Sequence, residues 1–156
     1  MTTETLISTA IRPALGLLPP HMSSRSATAL LVSIALQETD LRHREQVRGP
    51  ARGFWQFESI GVEGVLEHHA SKANAERICV ELLHEPDVSE VYSAIRDADV
   101  LAACFARLAL WRYPGPLPSE SEPEKGWEQY IAVWGPGKPK PEKWEHNWRL
   151  AWESVA

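Results

Sequence analysis

The sequence predicts a mainly α-helical chain that folds as one domain over residues 1–156. Its length suits a single domain with a sizeable core. Hydrophobic residues make up 44% of the chain and charged residues 24%, a balance typical of globular proteins. Apolar residues recur at helical spacing in several segments, and the Gly- and Pro-rich stretches between these segments are short.

The first half of the chain begins with a short amphipathic segment, TETLISTAIRPALGLL, which Pro19 and Pro20 terminate. We expect residues 1–24 to form a peripheral N-terminal piece. A helix over about 26–38 is predicted next, with apolar residues at i, i+3 and i+4 spacing. Residues 39–57 are predicted to be irregular with at most a small β-hairpin, because Gly49, Pro50 and Gly53 interrupt them.

The second half is predicted to be helical around one proline-rich loop. Short helices are expected over about 59–70, 71–83 and 87–97, and a central core helix over 98–112, ADVLAACFARLALWR. The loop YPGPLPSESEPEKG follows, then a helical turn or two over 127–134. The last helix carries Trp144, Trp148 and Trp152 at i, i+4 and i+8, which favours docking onto the core over carbohydrate stacking.

Composition excludes several classes of partner. A net charge of −5 and a pI near 5.7 argue against nucleic acid. ALLVSIAL is too short to span a bilayer, so we expect no stable membrane insertion. No signal peptide is recognisable, which predicts synthesis in the cytoplasm. Cys79 and Cys104 are predicted to be reduced core thiols. Neither the two cysteines nor His68 and His69, which are neighbours in the sequence, have the spacing of metal ligands.

Glu38 is the first candidate for a catalytic residue. It stands at the predicted end of a helix, where the helix dipole disfavours a negative charge. Aromatic neighbours such as Phe54, Trp55 or Phe57 would desolvate it and raise its pKa further. A glutamic acid that stays protonated near neutral pH has the property that a general acid needs for donating a proton to a glycosidic oxygen.

The aromatic loop after this helix supplies candidate substrate contacts. Trp55 is expected to offer a flat surface to sugar rings, and Gln56 to bond to their hydroxyl or amide groups. Gly53 is expected to allow a close backbone approach or a positive φ beside the substrate.

Two stretches resemble the signature of the lysozyme-like superfamily, most closely its lytic transglycosylase and phage endolysin branches. In that family a helix ends in a glutamate, usually followed by serine, and a loop of the form G-A-x-G-L-x-Q comes next. Glu38-Thr39 matches the first element with Thr for Ser, and Ala51-Arg52-Gly53-Phe54-Trp55-Gln56 matches the second with Phe for Leu. The resemblance covers residues 34–58.

The resemblance implies a lysozyme-like fold, with Glu38 as catalytic acid/base and Gln56 in a saccharide groove; Glu58 joins the candidate substrate contacts. A third family element, A-Y-N-x-G-x-G, is only partly matched by QYIAVWGPGKP, because Ala132 and Val133 stand where the family has Tyr and Asn. Tyr130 and Trp134 are the candidates to take over that role.

The choice between hydrolysis and transglycosylation depends on a second carboxylate. A hydrolase usually uses two, whereas the family's lytic transglycosylases use one, because the N-acetyl and C6 hydroxyl groups of the substrate complete the reaction. The sequence places four acids within reach of the loop, Asp40, Glu45, Glu58 and Glu63. We favour the one-glutamate chemistry.

The expected function is cleavage of the MurNAc-β-1,4-GlcNAc bond of peptidoglycan, with no metal or other cofactor. A phage or prophage protein that reaches the wall through a holin or with the virion fits this expectation, and other phage proteins are conceivable partners. Two alternatives from other classes remain open. In the first alternative, the chain is a catalytically inactive lysozyme-like structural or accessory protein. In the second, it is a module that binds glycan without cutting it.

Overall fold

The computed structural model describes residues 1–46 and 48–156 and is mainly α-helical. The helices in chain order are α1 (Thr3–Leu6), α2 (Arg12–Leu17), α3 (Arg25–Thr39), α4 (Ser59–Glu67), α5 (Lys72–Glu81), α6 (Val88–Ala94), α7 (Asp99–Trp111), α8 (Pro123–Trp134) and α9 (Pro141–Ser154). A π-helical stretch, Ile7–Ile11, joins α1 to α2, and Pro20–Met22 form one 3-10 turn. These elements confirm the mainly α prediction.

The N-terminal segment is part of the core, so the expectation that it is peripheral is wrong. Leu6, Ala10, Ile11 and Ala14 are each 0% exposed. These residues lie in the π-helical stretch and in the turns that flank it, and the stretch packs against α7 and α3. An amphipathic segment of this length cannot bury its apolar face alone, and the central helices supply the surface that covers it.

Helices α3 and α7 form the centre of the molecule. Every residue from Leu101 to Leu110 is buried, as expected of a helix that is apolar nearly all round. Helix α3 begins at a Ser24 N-cap, whose hydroxyl accepts from the Ala27 N–H. It ends at Thr39, and Asp40 caps it in a left-handed conformation with φ 52°. Glu38 therefore lies in the last turn, as predicted.

The segment between α3 and α4 is irregular. Two isolated antiparallel bridges, Glu45 with Arg52 and Arg52 with Phe57, take the place of the small hairpin, and no strand forms among the residues described. The segment is held from outside by an ion pair between Arg44 and Asp99, the first residue of α7. The Arg44 guanidinium also lies 4.3 Å from the centre of the Phe54 ring.

Helix α9 packs along α3. Its tryptophan stripe is buried, which confirms the core prediction for these rings; Trp144 and Trp148 contact α8 and the loop that precedes it. Trp144, Trp148 and Trp152 are 4%, 4% and 6% exposed. A buried amide pair joins α9 to α3, where Asn147 Nδ2 donates to Gln37 Oε1 at 2.9 Å. This contact fixes the C-terminal helix against the last turns of α3 and therefore beside Glu38.

Both cysteines are buried and unpaired, as predicted. Burial raises the pKa of Cys79 to about 11 and that of Cys104 to about 12, so both thiols keep their protons. In the part of the chain that the structure describes, no helix combines the length and apolarity needed to cross a bilayer.

Candidate active site around Glu38

A cavity of about 650 Å³ opens beside the last turn of α3. Its walls come from the end of α3, the irregular segment after it, and the end of α8 with the turn that follows. The lining includes Gln37, Glu38, Gln56, Glu58, Tyr130 and Trp134. The proline-rich loop over 113–126 contributes none of the lining, so this loop does not fill the cavity.

Glu38 is partly buried at this cavity, and Tyr130 is its direct partner. The Tyr130 hydroxyl donates a hydrogen bond to Glu38 Oε2. Burial raises the pKa of Glu38 above its usual value, and this effect outweighs both the Tyr130 hydrogen bond and the positive charge of Lys143, which lower the pKa. The site therefore favours the protonated carboxyl more than water does.

Tyr130 keeps its proton and has a fixed orientation. Burial raises its pKa strongly, and the neighbouring Glu38 raises it further. Its ring stacks on Trp144 with centroids 5.4 Å apart and planes 8° apart, and Trp127 packs against both rings. The core face of α9 thus holds the phenol that reaches the acid.

The prediction that Trp55 is an exposed platform for sugar rings is wrong. Trp55 is 0% exposed, and its indole N–H donates to the Leu31 carbonyl at 2.9 Å. The loop turns this ring inward because α3 offers both an apolar surface and an acceptor for the indole nitrogen. Trp55 is therefore a structural anchor of the loop.

Gly53 has the predicted positive φ, at 77°. The close approach that it permits is to protein and not to a ligand, because a Cβ atom on Gly53 would come within 2.8 Å of the Ile95 carbonyl oxygen. Gly53 lets the loop pack against the end of α6.

Gln56 stands at the edge of the cavity in a strained backbone conformation. Its φ is 53°, which costs a residue with a Cβ atom roughly 1–3 kcal/mol. The side-chain Nε2 donates back to the Gly53 carbonyl at 2.9 Å. Its Oε1 accepts no hydrogen bond from the described residues, which leaves this oxygen for a ligand in the cavity.

Trp134 and Glu58 form the wall beyond Gln56. The Trp134 indole N–H donates to the Trp55 carbonyl at 2.8 Å, and its ring lies 5.9 Å from that of Phe57. Trp134 is partly exposed, so it is an aromatic surface that the cavity can use in place of Trp55. Glu58 is exposed and directly precedes α4.

Of the four acids considered as a second carboxylate, only Glu58 lines the cavity. Asp40 accepts from Lys143 Nζ at 3.0 Å, and Glu45 accepts from Arg96 at 2.8 Å. Glu63 lies on the exposed face of α4. The structure thus brings together Glu38, Gln56, Glu58, Tyr130 and Trp134, and it separates Gly53 and Trp55 from them by burying both.

Three residues that sequence reasoning missed also shape the site. Thr39 Oγ1 donates to the Ala35 and Phe54 carbonyls, which ties the aromatic loop to the end of α3. Gln37 donates to the Lys140 carbonyl at 2.8 Å, and Lys143 acts electrostatically on Glu38. Thr39 occupies the position after the glutamate, so the motif held a signal for it; Gln37 and Lys143 depend on how α9 docks.

The described residues contain no group of three or more His, Cys, Asp or Glu side chains placed to hold a metal ion. Comparisons with family models, with curated proteins and with solved structures find no match to this chain.

Proposed function

We propose that this protein has a lysozyme-like fold and cleaves the MurNAc-β-1,4-GlcNAc bond of peptidoglycan, with Glu38 as the acid/base. The contact between Glu38 and Tyr130 carries this proposal. At this contact the carboxyl has a pKa that burial raises, a neutral hydrogen-bond donor holds it, and a cavity opens beside it. A raised pKa, a fixed orientation and access to substrate are the features that favour a general acid.

Tyr130 determines which oxygen of Glu38 can act. Because Oε2 accepts from the tyrosine hydroxyl, the proton of the neutral acid belongs on Oε1. That oxygen gives its proton to the glycosidic oxygen as the bond to the sugar C1 breaks. The carboxylate left behind is then the base for the next step.

The substrate-holding roles belong to Gln56 and Trp134. Gln56 Oε1 is placed to accept from a sugar hydroxyl or an N-acetyl N–H. Trp134 offers a partly exposed ring at the end of α8, with its N–H already bound to the loop carbonyl of Trp55. A rigid aromatic beside a polar acceptor suits a ring with one apolar face.

We favour the one-carboxylate reaction, in which the C6 hydroxyl of the muramic acid attacks C1 and passes its proton to Glu38. The product then ends in a 1,6-anhydro sugar, and no water is consumed. Glu58 is the acid that would serve a hydrolase, since it lines the same cavity.

The test is digestion of purified peptidoglycan by the wild type, Glu38→Gln, Glu58→Gln and, as a control, the exposed Glu63→Gln. Released fragments are identified by mass spectrometry. We expect anhydro products from the wild type, Glu58→Gln and Glu63→Gln, and a loss of about 10²–10⁴-fold in rate for Glu38→Gln.

Other outcomes separate the alternatives. Reducing-end products one water heavier, lost in Glu58→Gln, would identify a hydrolase. Sedimentation of the wild type with peptidoglycan but no release of fragments would identify a glycan-binding module. If the wild type neither binds peptidoglycan nor releases fragments from it, that result would contradict the proposal for this substrate.

A further inference from the structure

A second cleft, of about 600 Å³, lies away from Glu38 between the turn that precedes α3 and the segment that follows α7. It shares no lining residue with the Glu38 cavity. Its lining includes His21, Ser24, Ser26, Arg107 and Trp111, and no aspartate or glutamate among the described residues. The cleft is therefore rich in donors and has no negative side chain of its own.

Arg107 is the unusual feature of this cleft. Its side chain is 3% exposed, yet it has no carboxylate partner among the described residues. Its Nε donates to the Met22 carbonyl at 2.8 Å, and its guanidinium carbon lies 5.5 Å from the Trp111 ring centre. The two terminal nitrogens donate to no described protein atom, and the side chain lines the cleft. Their N–H groups are left for an acceptor inside it.

The start of α3 faces the same cleft. Ser24 and Ser26 line it, and α3 is 15 residues long, so its positive end carries a full helix dipole. The Ser24 hydroxyl already accepts from the Ala27 N–H, which leaves the Ser26 N–H without an intrahelical acceptor. A helix N-terminus and an unpaired arginine thus point positive charge at one space.

We propose that this cleft binds a phosphate group, held by the terminal guanidinium nitrogens of Arg107 and by the N-terminal donors of α3. A buried cation without an anion is costly, and an oxyanion that bonds to the guanidinium fork removes that cost. The donors come from two elements, α7 and the start of α3, and such a set suits the several oxygens of phosphate better than the two of a carboxylate. Trp111 and Leu117 give an apolar wall for whatever carries the phosphate.

The test is a titration followed by ¹H–¹⁵N NMR at constant ionic strength, with chloride as the baseline anion. The wild type receives inorganic phosphate, phenyl phosphate or acetate. We expect saturable shifts of the Ser26 amide and the Arg107 Nε–H with both phosphates, and weaker or no binding of acetate. Tighter binding of phenyl phosphate would assign a phosphate ester, and tighter binding of inorganic phosphate would assign the free ion.

Variants test the role of Arg107. Arg107→Gln should weaken phosphate binding at least about tenfold, whereas Arg149→Gln, at an exposed arginine of α9, should not change it. No saturable shift in the wild type, equal binding of acetate, or unchanged binding by Arg107→Gln would each overturn the proposal. The wild-type titration decides the question even if Arg107→Gln fails to fold.

Discussion

Glu38 and Arg107 are both ionisable side chains inside the protein, and neither has an opposite charge in direct contact among the described residues. Burial acts on each in the direction that favours its neutral form. It raises the pKa of Glu38 and lowers that of Arg107 to about 10. The two outcomes differ, because Arg107 remains charged at neutral pH, whereas the pKa of Glu38 moves towards neutrality.

Burial therefore has different consequences for an acid and for a cation. An acid whose pKa moves towards neutrality can give and take a proton, which suits chemistry. A cation whose pKa stays well above neutrality can only attract an anion, which suits binding. Three substitutions test whether its surroundings set the pKa of Glu38. The first has the largest expected effect.

Tyr130→Phe removes the hydroxyl that donates to Glu38. The pKa of Glu38 should rise, because the hydrogen bond from Tyr130 lowers it. In a pH profile of kcat/KM for peptidoglycan cleavage, the fall in rate at high pH should therefore move to higher pH. The maximum should drop about tenfold, or about 1.4 kcal/mol, since the acid loses its orientation.

Tyr92→Phe is the matched control for this shift. The Tyr92 hydroxyl donates to the Pro50 carbonyl and makes no contact with Glu38. A shift of equal size in both variants would mean that Tyr130 acts through general packing and not through its bond to the acid.

Glu38→Gln should change how stability depends on pH. The folded-state pKa of Glu38 lies above 4.5, the ordinary value for a glutamate, so between these two pKa values the native wild type binds more protons than the unfolded chain. Its stability therefore falls as the pH rises from about 4.5 through the folded-state pKa. The glutamine variant lacks this loss. The free energy of unfolding of Glu38→Gln minus that of the wild type should therefore be larger at pH 8 than at pH 4.

Urea unfolding at these two pH values measures the effect, which amounts to about 1.4 kcal/mol for each unit by which the pKa is raised. Glu63→Gln, at an exposed position, shows whether the pattern belongs to Glu38. A difference between wild type and Glu38→Gln that stays constant from pH 4 to pH 8 would contradict the raised pKa.

The sequence predicted the helical elements and the position of Glu38 because these depend on local patterns. Apolar spacing and terminating residues place α3 and α7, and the motif placed Glu38 in the last turn of α3. The motif also identified Gln56 and Tyr130 as candidate site residues, and both line the cavity with Glu38.

The orientation of rings and the burial of the N-terminus could not be read from spacing. Trp55 turns inward because the Leu31 carbonyl, 24 residues away in the chain, accepts its N–H. The N-terminal segment is buried because α3 and α7 cover it. Arg107 is likewise unpaired because the fold brings no described carboxylate next to it, and no local sequence pattern predicts which side chains pack around a residue.

Lys143→Met should give the smallest effect of the three. Lys143 bonds to Asp40 and attracts Glu38 from a distance, and its influence on the pKa of Glu38 ranks below that of the Tyr130 hydrogen bond. The fall in rate at high pH should therefore move upward by less than in Tyr130→Phe. Lys125→Met, at an exposed lysine that pairs with Glu122, should leave it in place.

Salt distinguishes this electrostatic effect from a change in packing. Lys143 is 33% exposed and Asp40 46%, so solvent ions screen the charge that Lys143 presents to Glu38. The wild-type profile should move towards that of Lys143→Met at about 1 M salt, where the Debye length falls to about 3 Å. The profile of Tyr130→Phe should keep its separation from the wild type, because a buried hydrogen bond is screened far less. If salt removed both differences, Glu38 would be tuned by surface charge alone, and its contrast with the buried Arg107 would disappear.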